Sequence, residues 1–416
     1  MGIMNDLQCG YLIGRNSGMP LGGVSCHAYF EFECGKIDVS KLSSAWEKLF
    51  HIHKELRSRY CDGSVIECDG LPPNSKVEYY NISDSSKEEQ DKFVARFREK
   101  RSHRMLDVEN GQCTAIALIQ LGEEKNILVF DWDLIAGDVR SFLNILEQLA
   151  CLYENEKSEF NIVDSENLLL KRKEIAKTCR ELAKSIIEED AEHYPVLVTL
   201  PMLNLPDKLS GCTYLAEDRW IEQKLWKRFQ KKAKEYQIPT EILLMYAFGS
   251  AFLDITKDNG ILINFPSFQR SGSEAENVGD FTDIKLVPIY NEVAESTSER
   301  INRLKKYYDR LSSFSGYPVT KIRKKLLKMH PDSTSIAPIV FSPMLDVPLV
   351  SDRFKKNFGK LAKMLSQTPQ VWLDVQSFVL DGMLYLSIVY PQEMFSQRLV
   401  KKIADGYEEN IKKLIG

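Results

Sequence analysis

The sequence has no Cys-x-x-Cys pair, no glycine-rich phosphate loop, no basic block and no apolar run near the ~20 residues of a membrane span. Each absence closes a class of function. The nine cysteines are an odd number, scattered from Cys9 to Cys212. A disulfide framework or a zinc site needs paired spacing, so reduced thiols and no metal are expected. Histidine is scarce, with six residues. His51 and His53 are two apart, which points them to different faces of a helix and away from shared metal ligation. A net charge of −4 without a basic cluster excludes a nucleic-acid footprint. The N-terminus has no basic-then-apolar leader, so a cytoplasmic location is expected.

What is present is the composition of a packed protein. The 416 residues are 44% hydrophobic and 27% charged, enough for two or three ordinary domains or two large lobes. Residues 166–194 read as a long, highly charged helical segment, the expected linker. That gives an N-terminal lobe over 1–175 and a C-terminal lobe over 176–416.

Alternation predicts a strand near 27–33, and short apolar runs read as strands near 114–118, 127–130, 261–265, 283–290, 336–341 and 383–390. Helical spacing predicts helices over 38–56, 86–104, 219–236, 240–252, 296–311, 352–365 and 397–415. Residues 1–22 read as loop. Few βαβ alternations occur, so the expected fold class is α/β with mixed sheets and helices on one face, not a doubly wound sheet.

Residues 133–141 read Asp-Leu-Ile-Ala-Gly-Asp-Val-Arg-Ser. Asp133, Asp138 and Ser141 fall between an apolar run and an amphipathic one, so they sit on a strand-to-helix turn. Such a junction offers free backbone N–H groups and suits chemistry. It equally suits acidic residues that only complement a helix dipole. The stretch alone leaves both readings open.

Several segments together resemble the heterocyclization domains of nonribosomal peptide synthetases, a branch of the condensation-domain superfamily. Asp133, Asp138 and Ser141 fit that branch's Asp-x4-Asp-x2-Ser signature, where ordinary condensation domains carry His-His-x3-Asp-Gly. Residues 366–374, Ser-Gln-Thr-Pro-Gln-Val-Trp-Leu-Asp, match a second family motif. Gly22-Gly23-Val24-Ser25-Cys26-His27, Gly279-Asp280-Phe281-Thr282 and Phe314-Ser315-Gly316 also fit. The resemblance covers essentially the whole chain, from about Leu7 to the closing helix.

The resemblance implies two chloramphenicol-acetyltransferase-like lobes in a V, with a tunnel between them. It implies upstream and downstream carrier-protein domains as partners, with an adjacent adenylation domain. Substrates would arrive on the carriers' 4'-phosphopantetheine arms, and the domain itself would bind no cofactor. The reaction has two stages. The amine of carrier-bound cysteine, serine or threonine attacks an upstream thioester. The side-chain thiol or hydroxyl then attacks the new amide carbonyl, and loss of water gives a thiazoline or oxazoline. A carboxyl with a raised pKa can move both protons of the second stage.

By the resemblance, Asp374 is that carboxyl and Ser342 assists it from the position of a family threonine. Gln269 stands where the family has asparagine. Thr282 and Gln370 are tunnel-lining polar residues. Leu134 occupies the slot of the motif histidine that lies near the amine in ordinary condensation domains, so histidine assistance is disfavoured. Asp138 is expected to pair with Arg270 across the lobe interface, and Asp133 to position the turn.

Three departures from the family pattern are expected to line the active region: Pro343 after Ser342, Val375 after Asp374, and Ser387-Ile388-Val389 in place of Asn-Trp-Asp. They leave two alternatives beside heterocyclization. One is amide formation without ring closure; the other is a degenerate carrier-docking domain. The upstream acyl group and the choice among cysteine, serine and threonine stay open. The chain begins and ends near the expected domain edges, which fits a domain cut from a longer synthetase.

Overall fold

The alternating run at His27–Cys34 (β2) forms the heart of the first sheet in a computed structural model. The structure describes residues 2–163, 174, 184–185, 191–196, 199–268, 270, 272–291, 295–312, 319–331, 333 and 335–416. The expected linker and the lobe boundary at 175/176 lie almost wholly outside the described residues, as does Phe314-Ser315-Gly316.

Gly2–Ile3 (β1), Ser58–Cys61 (β3) and Ser64–Glu67 (β4) make a small antiparallel sheet. Glu78–Asn81 (β5), Thr114–Gly122 (β6) and Lys125–Asp133 (β7) join β2 in a larger one. Helices Val39–Ile52 and Val139–Glu154 cover one face of that sheet. Their apolar stripes bury Trp46, Leu49, Phe142 and Leu149 against Phe30 and Phe130. The rings of Phe30 and Phe142 stack at 4.3 Å. Each such side chain contributes roughly 1.5–3 kcal/mol by leaving water.

The second sheet is built from Tyr214–Ile221 (β8), Gly260–Ser267 (β9), Asp283–Tyr290 (β10), Ile339–Pro348 (β11), Leu373–Leu380 (β13) and Met383–Pro391 (β14). Its order is β10-β9-β11-β13-β14-β8. β11 runs parallel to β9 and β13, and the other neighbours are antiparallel, so the sheet is mixed as expected. Asp381 and Gly382, both with positive φ (50° and 76°), close the two-residue β13–β14 hairpin. That is the Asp-Gly pair whose twist suits such a turn. Helix Thr240–Thr256 is buried nearly all round, and helix Gln397–Ile415 packs on it. Among the described residues no single helix is long and apolar enough to cross a membrane.

One strand breaks the division by sequence. Lys360–Gln367 (β12) comes from the C-terminal half yet pairs antiparallel with β2. The chain reaches it through Gly359, at φ 77°, where a Cβ would lie 1.9 Å from the Glu33 carbonyl oxygen. Only glycine permits that approach. The expected helix over 352–365 is therefore corrected: it stops at Phe358, and its basic second half is β12.

Other expectations shift similarly. Residues 1–22 hold a helix, Asp6–Gly14, with an Asn5–Gln8 capping box. The expected helix over 219–236 is preceded by β8, which takes its first three residues. β11 begins three residues later than expected and runs on through Pro343. Beyond Val340, β11 pairs with β13 alone, and a proline is tolerated along such a one-sided stretch.

Candidate active site

Strand periodicity builds the site. Val340, Ser342 and Met344 of β11, and Asp374, Gln376 and Phe378 of β13, alternate onto one face and line a cavity of ≈ 490 Å³. The intervening residues Ile339, Phe341, Leu373 and Val375 point the other way, into the C-terminal core. Phe30 and Trp132 of the first sheet, Leu134 of the turn after it and Phe142 of its helix supply more of the wall. The cavity thus lies between the two halves, and its size suits a small-molecule substrate.

Asp374 is 8% exposed. Gln376 Nε2 donates to its Oδ2 at 2.7 Å, Ser342 Oγ donates to Oδ1 at 3.3 Å, and Ser366 Oγ lies 3.5 Å from Oδ2. Burial pushes its pKa up from 3.8 to about 6, and the three neutral donors only partly offset that. The carboxyl therefore changes protonation near neutrality and faces space that can hold a substrate.

Thr282 also lines the cavity, and its backbone N–H donates to Asp280 Oδ1 at 3.2 Å. Gln370 stands at the cavity wall, exposed and left-handed at φ 65°, with its backbone N–H donating to the Leu21 carbonyl. Gln269 lies outside the described residues.

Asp133, Asp138 and Ser141 do not line this wall; Asp138 and Ser141 form a latch. Asp138 caps helix Val139–Glu154, accepting from Ser141 N at 2.9 Å. The same Oδ1 accepts from Arg270 Nη2 at 2.7 Å, as expected for the pair. Arg270 Nη2 also donates to Ser141 Oγ at 2.7 Å, and Ser141 Oγ donates to the Gly279 carbonyl at 2.8 Å. Asp138 Oδ2 accepts from Phe281 N at 3.1 Å, so the cap ties the two halves together. Gly137 is required here, because a Cβ would meet Ser141 at 2.8 Å and Gly279 N at 3.2 Å. Asp133 is fully buried, pairs with Arg15 and accepts from Ile135 N at 3.1 Å. Between them, Leu134 faces the cavity.

The expectation that all three departures line the active region is corrected. Val375 is in the core on the far face, and Pro343 shares that face by alternation. Val389 does matter, since it stands opposite Asp374 on β14.

Sequence reasoning assigned no site role to Gln376, Ser366, Asn264 or Trp372, although Ser366 and Trp372 stand in the 366–374 motif. Gln376 follows Asp374 by two residues, so recognising β13 would have placed both on one face. Asn264 Oδ1, Trp372 Nε1 and both amide atoms of Gln367 are buried at this cavity without partners among the described residues. A wall that leaves such groups open suits a ligand rich in amides. Asp280 was also missed as a titrating group: burial, and then the neighbouring Asp138, push its carboxyl up to about 6.

The chain is similar in sequence and in fold to several known proteins. Pyochelin synthetase PchE of Pseudomonas aeruginosa is 26% identical over 388 residues, covering 92% of this chain and 27% of that protein. Phenyloxazoline synthase MbtB of Mycobacterium tuberculosis is 25% identical over 402 residues, covering 90% and 27%. The chain thus spans about a quarter of the length of these curated relatives. The EpoB NRPS cyclization-docking bidomain from Sorangium cellulosum has the same fold, with a TM-score of 0.90 at 20% identity, over 100% of this chain and 84% of that one. The family model described as "Condensation domain" matches residues 23–416, and this chain belongs to that family.

Proposed function

We propose that this chain is a heterocyclization domain of a nonribosomal peptide synthetase, joining two carrier-bound substrates and closing a thiazoline or oxazoline ring. One observation carries the reading: Asp374 lines the inter-lobe cavity with its carboxyl pushed up to about 6 and only neutral donors around it. The names of the relatives and the Asp133-x4-Asp138-x2-Ser141 signature support the same branch.

In the first stage the acceptor amine displaces the upstream thiol and forms an amide. A histidine at the motif slot does not assist this step, since Leu134 stands there and cannot transfer a proton. In the second stage the acceptor's thiol or hydroxyl adds to the amide carbonyl. Asp374 donates a proton to the departing oxygen, which leaves as water. Its carboxylate then takes the proton from the ring nitrogen as the C=N bond forms. Ser342 and Gln376 hold the carboxyl in place for both transfers.

The carriers, their phosphopantetheine arms and the adjacent adenylation domain are partners on this reading, and a cytoplasmic location fits it. The lobes divide near residue 175, apart from β12. A second reading, amide formation alone, is favoured by Val389, which puts an apolar group opposite Asp374 where the family has a carboxylate.

Mass analysis separates the two. Two carriers loaded with an aryl or acyl group and with cysteine, serine or threonine are mixed with this protein. Heterocyclization gives a product one water lighter than the linear amide, and Asp374→Asn gives the linear amide alone. Linear amide from the wild-type protein with every acceptor would overturn ring closure.

A further inference from the structure

We propose that Arg323 is an oxyanion-binding residue of the cavity, reading either the phosphate of a carrier's prosthetic arm or a carboxylate on the delivered acyl group. The phosphate source rests on the carrier-fed reading above. Arg323 lies on helix Val319–Met329, seated in the C-terminal core by Ile322 and Leu326. Leu327, one turn on, lines the cavity beside it.

Among the described residues of the cavity wall only Arg323 and Asp374 carry ionisable acid or base groups of ordinary charge at neutral pH. The two are not paired, because the side-chain partners of Asp374 are Ser342, Ser366 and Gln376. Among the described residues no carboxylate pairs with Arg323. Its Nε is buried without a hydrogen-bond partner. Burial pushes the guanidinium's pKa down.

Arg323 is half-buried, and only its Nε is fully withdrawn from water, so its guanidinium is a partly desolvated cation that an arriving anion would neutralise. The planar donor fork of arginine fits two oxygens of one phosphate or carboxylate. The rest of the wall is mainly apolar or neutral, so an anion entering the cavity meets one strong site.

Binding measurements test this without turnover, so their failure is distinct from failure of ring closure. The probes are 4'-phosphopantetheine against pantetheine, and S-carboxymethyl-pantetheine against S-carbamoylmethyl-pantetheine, titrated by ligand-observed NMR. The wild-type protein is expected to favour the anionic member of one pair by about tenfold, the size of one charge-assisted bond. The pair that responds names the source. Arg323→Gln is expected to abolish the preference while leaving the neutral probes unchanged. Arg323→Lys, which keeps the charge but not the fork, is expected to retain it several-fold weaker, and it decides the matter if the glutamine variant does not fold. No preference in the wild-type protein for either anionic probe overturns the proposal. So does a preference that survives Arg323→Gln, or is undiminished in Arg323→Lys.

Discussion

Asp374 on β13 and Val389 on β14 are directly opposed Cα partners in an antiparallel pair. Side chains so opposed share a face, with Cβ atoms ~4.5–5.5 Å apart. The carboxyl therefore has an aliphatic neighbour where the family pattern places a second carboxylate. Val389→Asp tests this relationship. A like charge at that distance disfavours ionisation, so the Asp374 pKa should rise from about 6 by roughly one unit or more. Side-chain carboxyl NMR titration reads the change. An unmoved or lowered pKa would show that the two side chains do not meet.

The raised pKa of Asp374 also has a consequence for stability. Its folded pKa is about 6 and its ordinary value 3.8, so the native state binds the proton more tightly than the unfolded chain. The stabilising contribution is complete below about pH 4 and is lost as pH rises through about 6. At pH 7 the charged carboxylate is a net cost on the order of 2–3 kcal/mol. Asp374→Asn should therefore be more stable than wild type at pH 7 and show no gain at pH 4. Asp280 titrates in the same window but is present in both proteins, so the difference isolates Asp374. Denaturant unfolding at the two pH values checks it. A variant less stable than wild type at pH 7 would contradict the sign.

Gln376 and Ser342 should act on Asp374 unequally. The Gln376 amide donates at 2.7 Å and is the largest influence opposing the burial effect; the Ser342 hydroxyl is farther, at 3.3 Å. Each favours the ionised form. Gln376→Met should raise the Asp374 pKa more than Ser342→Ala, and both above wild type. The same order is expected for slowing of ring closure relative to amide formation, because proton return to the carboxylate is then misplaced. A larger shift from Ser342→Ala, or a fall from either change, would reverse the assigned roles.

How much of this was legible in the sequence depended on which signals are local. The strand-turn-helix at residues 133–141 was readable because Asp138 and Ser141 cap a helix through local hydrogen bonds. The Asp138–Arg270 pair, 132 residues apart, came only from the family resemblance, since nothing local links the two. β12 was misread because Lys360, Lys363 and the residues between them carry helical-looking charge, while their strand state is imposed by pairing with β2. β13 was overlooked because both its faces are buried, one in the core and one on the cavity, so Leu373–Leu380 shows no clean polar alternation. Gln376 was lost with it. Arg323 was invisible because only the fold shows that, among the described residues, no carboxylate meets it.

The latch gives the last prediction. Asp138 is 1% exposed and accepts from Arg270, from Ser141 N and from Phe281 N. Asp138→Ala removes a helix cap, worth ~0.5–2 kcal/mol, and leaves the Arg270 guanidinium buried beside Gly279 without its counter-ion. Breaking a buried pair from one side costs ~3–5 kcal/mol. Arg270→Met alone should cost a similar amount, because it strips the buried Asp138 of its counter-ion. The double variant Asp138→Ala, Arg270→Met leaves neither charge stranded, so it should lie well above the sum of the single losses. Urea unfolding of the four proteins gives the coupling energy directly. Strict additivity would mean that the pair does not hold the halves together, and a single-variant loss below about 1 kcal/mol would reduce the latch to a surface-like contact.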